Sequence, residues 1–173
     1  MGDSLITVIA IVLAAILMFI FPLMSVSERN DDIAQLAVQT AAIEFVDDVR
    51  TTGKITSENY DKSIQTLSAT GNSYEVEIEV KKLDENPGKK NATGETNKVG
   101  ENLYYSVFTS QIESTLSDNG KYPLKEGDII SVNVKNTNRT IAQMLRSFFY
   151  SISGSDSYQV VAQHSGVVLA NGK

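Results

Sequence analysis

The most apolar part of the chain is an uncharged run from Leu5 to Met24, close to the start of an otherwise polar sequence. A helix rises about 1.5 Å per residue, so a run of about 20 residues crosses the roughly 30 Å hydrocarbon core of a bilayer. We therefore predict a transmembrane helix with Ile11 and Leu17 inside the span. Pro22 removes one helical hydrogen bond and crowds the preceding turn, which predicts a bend near the outer end.

Two other interpretations of this run were considered. A cleaved secretory signal usually has a basic head and an apolar core of about 7 to 15 residues, whereas this head carries no Lys or Arg and the run is longer. Ser25-Val26-Ser27 resembles a cleavage site, so removal of the run stays an alternative. A buried core helix is disfavoured, because the rest of the chain is too small to cover such a helix on all sides.

The residues after the span, from Ser27 to Val49, contain no Gly or Pro and predict a helical extension. Its apolar positions form two stripes at 100° per residue. One stripe contains Ile33, Leu36, Ala37 and Ile43, and the other contains Val38, Ala42, Phe45, Val46 and Val49. A helix that packs first on a neighbour and later on its own domain has this pattern, and so does a helix broken near Asn30-Asp31-Asp32.

The remaining sequence alternates between helical and strand patterns. A helix capped by Thr56 or Ser57 precedes a strand from Tyr74 to Lys81, in which apolar residues alternate with charged ones. The later elements are predicted as a helix over 103–116, a strand over 128–136, a short helix opened by Asn138 or Thr140, and a strand over 157–169. Residues 84–102 are polar and contain several Gly residues, which predicts a mobile loop.

These elements predict an α+β fold, with an N-terminal transmembrane helix that extends into an amphipathic helix. A small three-stranded sheet with helices on one face follows, and no hairpin is expected because a helix separates every pair of strands. We divide the chain into a head and span at 1–26, a helical extension at 27–52, and a domain at 53–173.

Charge sets the expected location and excludes one class of partner. Arg29 is the only basic residue within about 20 positions after the span, and the short head is easily retained inside. We therefore expect a single-pass protein of the cell membrane with most of the chain outside the cytoplasm. The net charge is −6 and the basic residues are dispersed, so a nucleic-acid partner is not expected.

Candidate chemistry is sparse along the chain. His164 is the only histidine and there is no cysteine, so neither a multi-histidine nor a cysteine metal site is available. The pairs Asp31-Asp32 and Asp47-Asp48 diverge on a helix, and the row Glu75, Glu77 and Glu79 is typical of a solvated strand face. We expect no catalytic residue, metal or cofactor.

The short polar head, the long apolar N-terminal helix with Pro22 near its outer end, and the small α+β domain resemble type IV pilin-like proteins, including minor subunits of tight-adherence pili. The resemblance implies cleavage by a prepilin peptidase after Gly2, which leaves Asp3 as the first residue. It also implies that subunits pack their apolar helices together in a filament. Where that family commonly carries a glutamate five residues after the cut, this chain has Thr7.

Two further functional hypotheses remain. The first is a single-pass accessory protein whose extracytoplasmic domain binds an envelope or secretion partner without polymerising. The second is a membrane-anchored hydrolase that uses a serine, His164 and an acidic residue. We expect membrane lipid and protein partners, the latter through the N-terminal helix in a homo- or hetero-oligomer.

Overall fold

The computed structural model describes residues 2–84, 104–150 and 161–172. Except for Asp84, the predicted loop at 84–102 lies outside these residues, as does the start of the predicted last strand at 157–160. The elements are α1 (Gly2–Thr52), β1 (Lys54–Thr56), α2 (Ser57–Ser68), β2 (Tyr74–Leu83), β3 (Tyr104–Phe108), α3 (Thr109–Asn119), β4 (Lys121–Pro123), β5 (Ile129–Asn136), α4 (Ile141–Tyr150) and β6 (Val161–Val167).

The apolar run and the predicted extension form one helix. α1 continues through Pro22 and through Asn30, Asp31 and Asp32, so the alternative of a break at those polar residues is wrong. A bend at Pro22 stays a prediction. α1 ends where Gly53 adopts a left-handed backbone conformation with φ of 71° and donates its amide to the Val49 carbonyl at 2.9 Å.

The main sheet of the described residues has four antiparallel strands in the order β3-β2-β5-β6, so the prediction of a three-stranded sheet is wrong. A separate two-stranded ribbon pairs β1 with β4. The α+β class is confirmed: a long apolar N-terminal helix precedes antiparallel sheets and shorter helices.

The extra strand comes from a segment that we predicted to be helical. Tyr104, Phe108 and Ile112 recur every four residues, but only the part from Thr109 onward is helix. The part before it pairs with the edge of β2, with Val107 opposite Val80. The expectation of no hairpin is wrong for the same reason, because β2 and β3 are consecutive in the chain and pair directly. Edge pairing satisfies the backbone groups of a segment rich in aromatic and β-branched residues, which outweighs its helical spacing.

One face of the sheet packs on the second half of α1 and forms the core. Val38, Val46 and Val49 of α1 are fully buried, together with Ile78 and Ile130 of the sheet. On the opposite face Glu77 accepts hydrogen bonds from Asn133 and Lys135 at 3.0 and 3.2 Å. The prediction that the strand beginning at Tyr74, now β2, has one apolar and one solvent-exposed face is confirmed.

β6 runs beside α1 in the same direction. At its start the Val161 carbonyl accepts a hydrogen bond from the Gln35 side chain at 2.8 Å, and at its end the Val167 carbonyl accepts one from Arg50 Nε at 2.9 Å. The sheet therefore covers α1 from about Gln35 to Arg50. The part of α1 before Gln35 extends beyond the sheet toward the N-terminus.

Caps fix where the two helices that contact α1 begin. Thr56 caps α2 by accepting the Asn59 amide, as predicted, and the Asn59 side chain accepts the Thr56 amide in return. Thr140 and Gln143 make the same reciprocal pair at the start of α4. Thr140 is therefore the cap, whereas Asn138 bonds to the turn at Asn72 and Ser73.

Candidate functional site on the long helix

The first half of α1 is the most apolar surface of the described residues. Leu5 and Ile11 are each 63% exposed, and Leu17 and Met24 are half-exposed. Among the described residues, α1 is the one helix long and apolar enough to cross a membrane, and none of its most apolar window is buried in the protein. Its length and composition are compatible with a single transmembrane span.

A stripe of exposed apolar side chains continues along α1 beyond the predicted span. It consists of Val26, Ile33, Leu36 and Ile43, which we call the outer stripe, and Ile33 and Leu36 are 60% and 65% exposed. At 100° per residue these side chains fall within about one third of the helix circumference, an arc that they share with the exposed Arg29 and Thr40. This arc lies opposite the buried face that contains Val38 and Phe45. The two predicted stripes thus have different environments, one inside the core and one on the surface.

The outer stripe largely agrees with the stripe predicted from the sequence. Three of its four members were predicted from their spacing, and Ala37, the other residue predicted there, is half-buried. Val26 was missed, although it lies seven residues before Ile33 and so on the same helix face. The sequence did not show which stripe its own domain would cover, because both are similarly apolar.

The N-terminal residues that the pilin resemblance singles out lie at the start of α1. Gly2 is the first helical residue and Asp3 is exposed. The Thr7 hydroxyl donates to the Asp3 carbonyl of the same helix at 2.7 Å. Threonine carries no charge, so position 7 offers no ion pair to a neighbouring chain.

The candidate catalytic residue His164 lies in the middle of β6, paired with Val132 of β5. It is half-buried and shares its sheet face with Ala162 and Gly166, the face that packs on α1. His164 therefore lies on the face of β6 that is directed toward α1.

The predicted acidic pairs do not converge on one site. Asp31 accepts from the Thr140 hydroxyl at 2.8 Å, Asp47 pairs with Arg50 at 2.8 Å, and Asp48 accepts from the Asn59 amide group at 2.9 Å. In the part of the chain that the structure describes, no group of three or more metal-binding side chains occurs. Asp31 thus joins α1 to the start of α4 and Asp48 joins α1 to α2, whereas the Asp47 pair lies within α1.

The glutamate row on β2 is also partnered within the chain. Glu77 lies beside Lys135 and Asn133, whose hydrogen bonds lower the pKa of its carboxyl group. Glu79 accepts from the Ser106 hydroxyl at 2.6 Å. The row therefore contributes cross-strand contacts on the wet face of the sheet.

A groove between α1 and α2 is one candidate for a small ligand among the described residues. It is lined by Glu44, Asp48, Asn59 and Lys62. Nearby, the Tyr60 hydroxyl donates to the Glu113 carboxylate at 2.6 Å, and burial together with that negative partner raises the pKa of Tyr60. The contact joins α2 to α3.

Comparison with known proteins does not identify a relative: no family model, no curated protein and no solved structure matches the chain. The exposed apolar surface of α1 is therefore the feature from which a function can be inferred.

Proposed function

We propose that this chain is a single-pass, membrane-anchored structural protein that binds neighbouring subunits through α1, in the manner of a pilin-like subunit. The observation that carries the proposal is the outer stripe. A soluble, monomeric domain gains nothing from a line of exposed apolar residues on a helix, whereas a helix that packs on a partner needs one. Leu36 and Ile33 lie where such a partner helix would contact α1.

Contact between α1 and a partner helix is favourable both within the bilayer and beyond it. Beyond the span, full burial of a side chain such as Leu36 contributes about 1.5 to 3 kcal/mol. Within the span, the helix already satisfies its own backbone hydrogen bonds, so it can exchange lipid contacts for a partner helix without breaking them. One continuous helix therefore supplies both the anchor and the assembly surface.

The proposed topology places the span at Leu5 to Met24 in the cell membrane and the α+β domain outside the cytoplasm. The partners under this proposal are membrane lipid and other protein chains, and the role is not enzymatic. Asp31 and Asp48 bond to residues of other helices of the same chain, which supports a structural role for these carboxylates.

A second candidate is an accessory protein that stays in the bilayer and binds an envelope or secretion partner without polymerising. Thr7 favours it, because pilin-like subunits commonly use a glutamate at that place to pair with a neighbouring amino terminus. The Thr7 hydroxyl is instead bonded within its own helix. Mass spectrometry of the mature N-terminus separates the two: cleavage after Gly2 supports the pilin-like subunit, and an intact Met1 supports the accessory protein.

Subunit contact is tested by crosslinking, since the chain has no native cysteine. Leu36→Cys places a thiol on the outer stripe, and Ser117→Cys places one on an exposed position of α3, outside α1. In native membranes we expect Leu36→Cys to form disulfide-linked or bismaleimide-linked species and Ser117→Cys to form few. Equal crosslinking at both positions, or none at Leu36, contradicts the proposal.

A substitution provides an independent measurement of the same contact. Leu36→Asp introduces a charge on the outer stripe, and Ser117→Asp adds the same charge on the exposed surface of α3. Assembly measured by blue native electrophoresis should be lost in the first variant and kept in the second. Unchanged assembly of Leu36→Asp would exclude the outer stripe as the interface.

A further inference from the structure

α4 is attached to α1 at the level of Asp31. Its cap, Thr140, accepts the Gln143 amide and donates its hydroxyl to Asp31 Oδ2 at 2.8 Å. α4 also contacts α1, and Ala142 is buried. The start of α4 therefore lies only about seven residues, or roughly 10 Å, beyond the end of the predicted span at Met24.

The face of α1 on which Asp31 lies is covered in the direction of the predicted span. Ser27 is buried, and Met24, Ile20 and Leu17 are less exposed than their neighbours. These positions precede Asp31 at intervals of four and three residues, which is the spacing of one helix face. A helix of ten residues is about 15 Å long, which is enough to reach from the level of Asp31 to the end of the predicted span at Met24.

Two apolar side chains of α4 are exposed. Ile141 and Met144 are 57% and 50% exposed, and Ser147 follows on the same side. Arg146 is the one charged residue in the sequence of α4. A short helix with a buried face, an exposed apolar face and little charge is poorly suited to water.

We propose that α4 lies in the boundary between lipid headgroups and acyl chains, as a second membrane contact beside the span. The inference rests on the proposed span, because the level of α4 is measured along α1 from Met24. At that level the surroundings of the exposed Ile141 and Met144 are lipid, and burial of these side chains in the boundary is favourable. The outer stripe lies on the opposite side of α1, so a partner subunit there leaves the surface of α4 in contact with the membrane.

This contact has a consequence for the whole domain. A single helix leaves the domain free to tilt and rotate over the membrane, whereas two contacts fix how it faces the bilayer. The outer stripe is then held in one orientation for a neighbouring subunit.

A single fluorescent label on the full-length protein tests the inference. Ser147→Cys places an environment-sensitive fluorophore on α4, and Ser117→Cys on α3 is the matched control. Both serines are exposed helix residues, and each hydroxyl donates to a carbonyl of its own helix. The protein is reconstituted at low density in vesicles of phosphatidylcholine and phosphatidylglycerol, with and without a quencher on the lipid chains.

We expect the emission of the Ser147 label to shift to shorter wavelength and to decrease when the lipid quencher is present, with neither change at Ser117. An unshifted, unquenched Ser147 label in protein that floats with the vesicles overturns the inference and leaves the span intact. A shift that appears only at high protein density assigns the face to a second copy and also overturns it. Protein that does not float contradicts the span itself, which is a separate and recognisable result.

Discussion

At the scale of single residues, Gly53 joins parts of the chain that are far apart in sequence. It ends α1 with a φ of 71°, and a Cβ atom at this position would collide with the backbone of Ala170 and Gly172. Its carbonyl accepts the Leu124 amide at 2.8 Å. The residue therefore has two requirements, a left-handed backbone and the close approach of the C-terminal segment, and only glycine meets both.

The first prediction separates these two requirements. Gly53→Ala and Gly71→Ala both place a side chain at positive φ, which costs about 1 to 2 kcal/mol, but a Cβ at Gly71 meets nothing within 4 Å. We expect Gly53→Ala to lower the free energy of unfolding by about 1 kcal/mol or more beyond Gly71→Ala, because it also displaces backbone atoms. Urea unfolding in detergent micelles measures the free energy of unfolding of both variants. Equal decreases would refute the close approach of the C-terminal segment to Gly53.

The second prediction concerns pH and Tyr60. The folded protein raises the pKa of Tyr60, so above about pH 10 the unfolded chain loses this proton more readily than the folded one. The free energy of unfolding should therefore be unaffected by this group below pH 10 and should fall above it. Tyr60→Phe removes the hydrogen bond to Glu113, at a cost of about 1 kcal/mol, and should flatten that alkaline fall. An identical pH profile in both proteins would show that ionisation of Tyr60 does not cause the alkaline loss of stability.

At the scale of elements, α1 serves two environments with one continuous backbone. Its first half is apolar on all sides, whereas its second half is apolar on one buried face and on the outer stripe. Phe45 is 6% exposed and its ring meets Tyr60 of α2 at 6.5 Å in an edge-on arrangement, so the second half belongs to the domain core. The outer stripe contributes little to the stability of the single chain.

The third prediction compares two neighbouring residues of α1. Phe45→Ala should lower the free energy of unfolding by about 3 kcal/mol or more, since it removes a buried aromatic ring and leaves a cavity. Ile43→Ala should change it by less than about 0.5 kcal/mol, because Ile43 is 42% exposed on the outer stripe. Far-UV circular dichroism during urea unfolding of dilute protein gives both values. A large loss for Ile43→Ala would mean that the stripe packs within its own chain.

At the scale of the whole molecule, the apolar run, α4 and the sheet occupy successive positions along α1. The apolar run comes first, α4 begins at Asp31, and the sheet covers α1 from about Gln35 to Arg50. Under the proposed topology, lipid, boundary and aqueous domain would follow one another along α1. An anchor and a folded domain that share one helix would not move independently, as the proposed subunit role requires.

The fourth prediction tests the anchor. Ile11→Asp and Leu13→Asp together place two charges near the middle of the span, each costing about 2.5 to 3.5 kcal/mol for insertion. The double variant should move from the membrane fraction to the soluble or degraded fraction, while Asn30→Asp with Gln39→Asp, two exposed changes outside the span, should stay with the membrane. Full membrane recovery of the Ile11 and Leu13 variant would require another anchor.

The sequence by itself determined the features that depend on neighbouring residues. A long uncharged run specifies a helix that lipid can surround, the cap at Thr56 specifies where α2 begins, and alternation from Tyr74 onward specifies a strand with one wet face. Hydrophobic spacing also identified two stripes on α1. These signals are local, so no knowledge of the fold is needed to interpret them.

Only the tertiary structure decided how those parts were used. Tyr104 to Phe108 became a strand because the open edge of β2 supplied its hydrogen bonds, and the short segments at Lys54 and Lys121 paired because the fold brought them together. Likewise, the hydrogen bond between Thr140 and Asp31 spans 109 positions, and it attaches the start of α4 to α1. Which apolar stripe is buried and which remains on the surface depends on such long-range contacts, because spacing along the chain defines a face but does not choose what covers it.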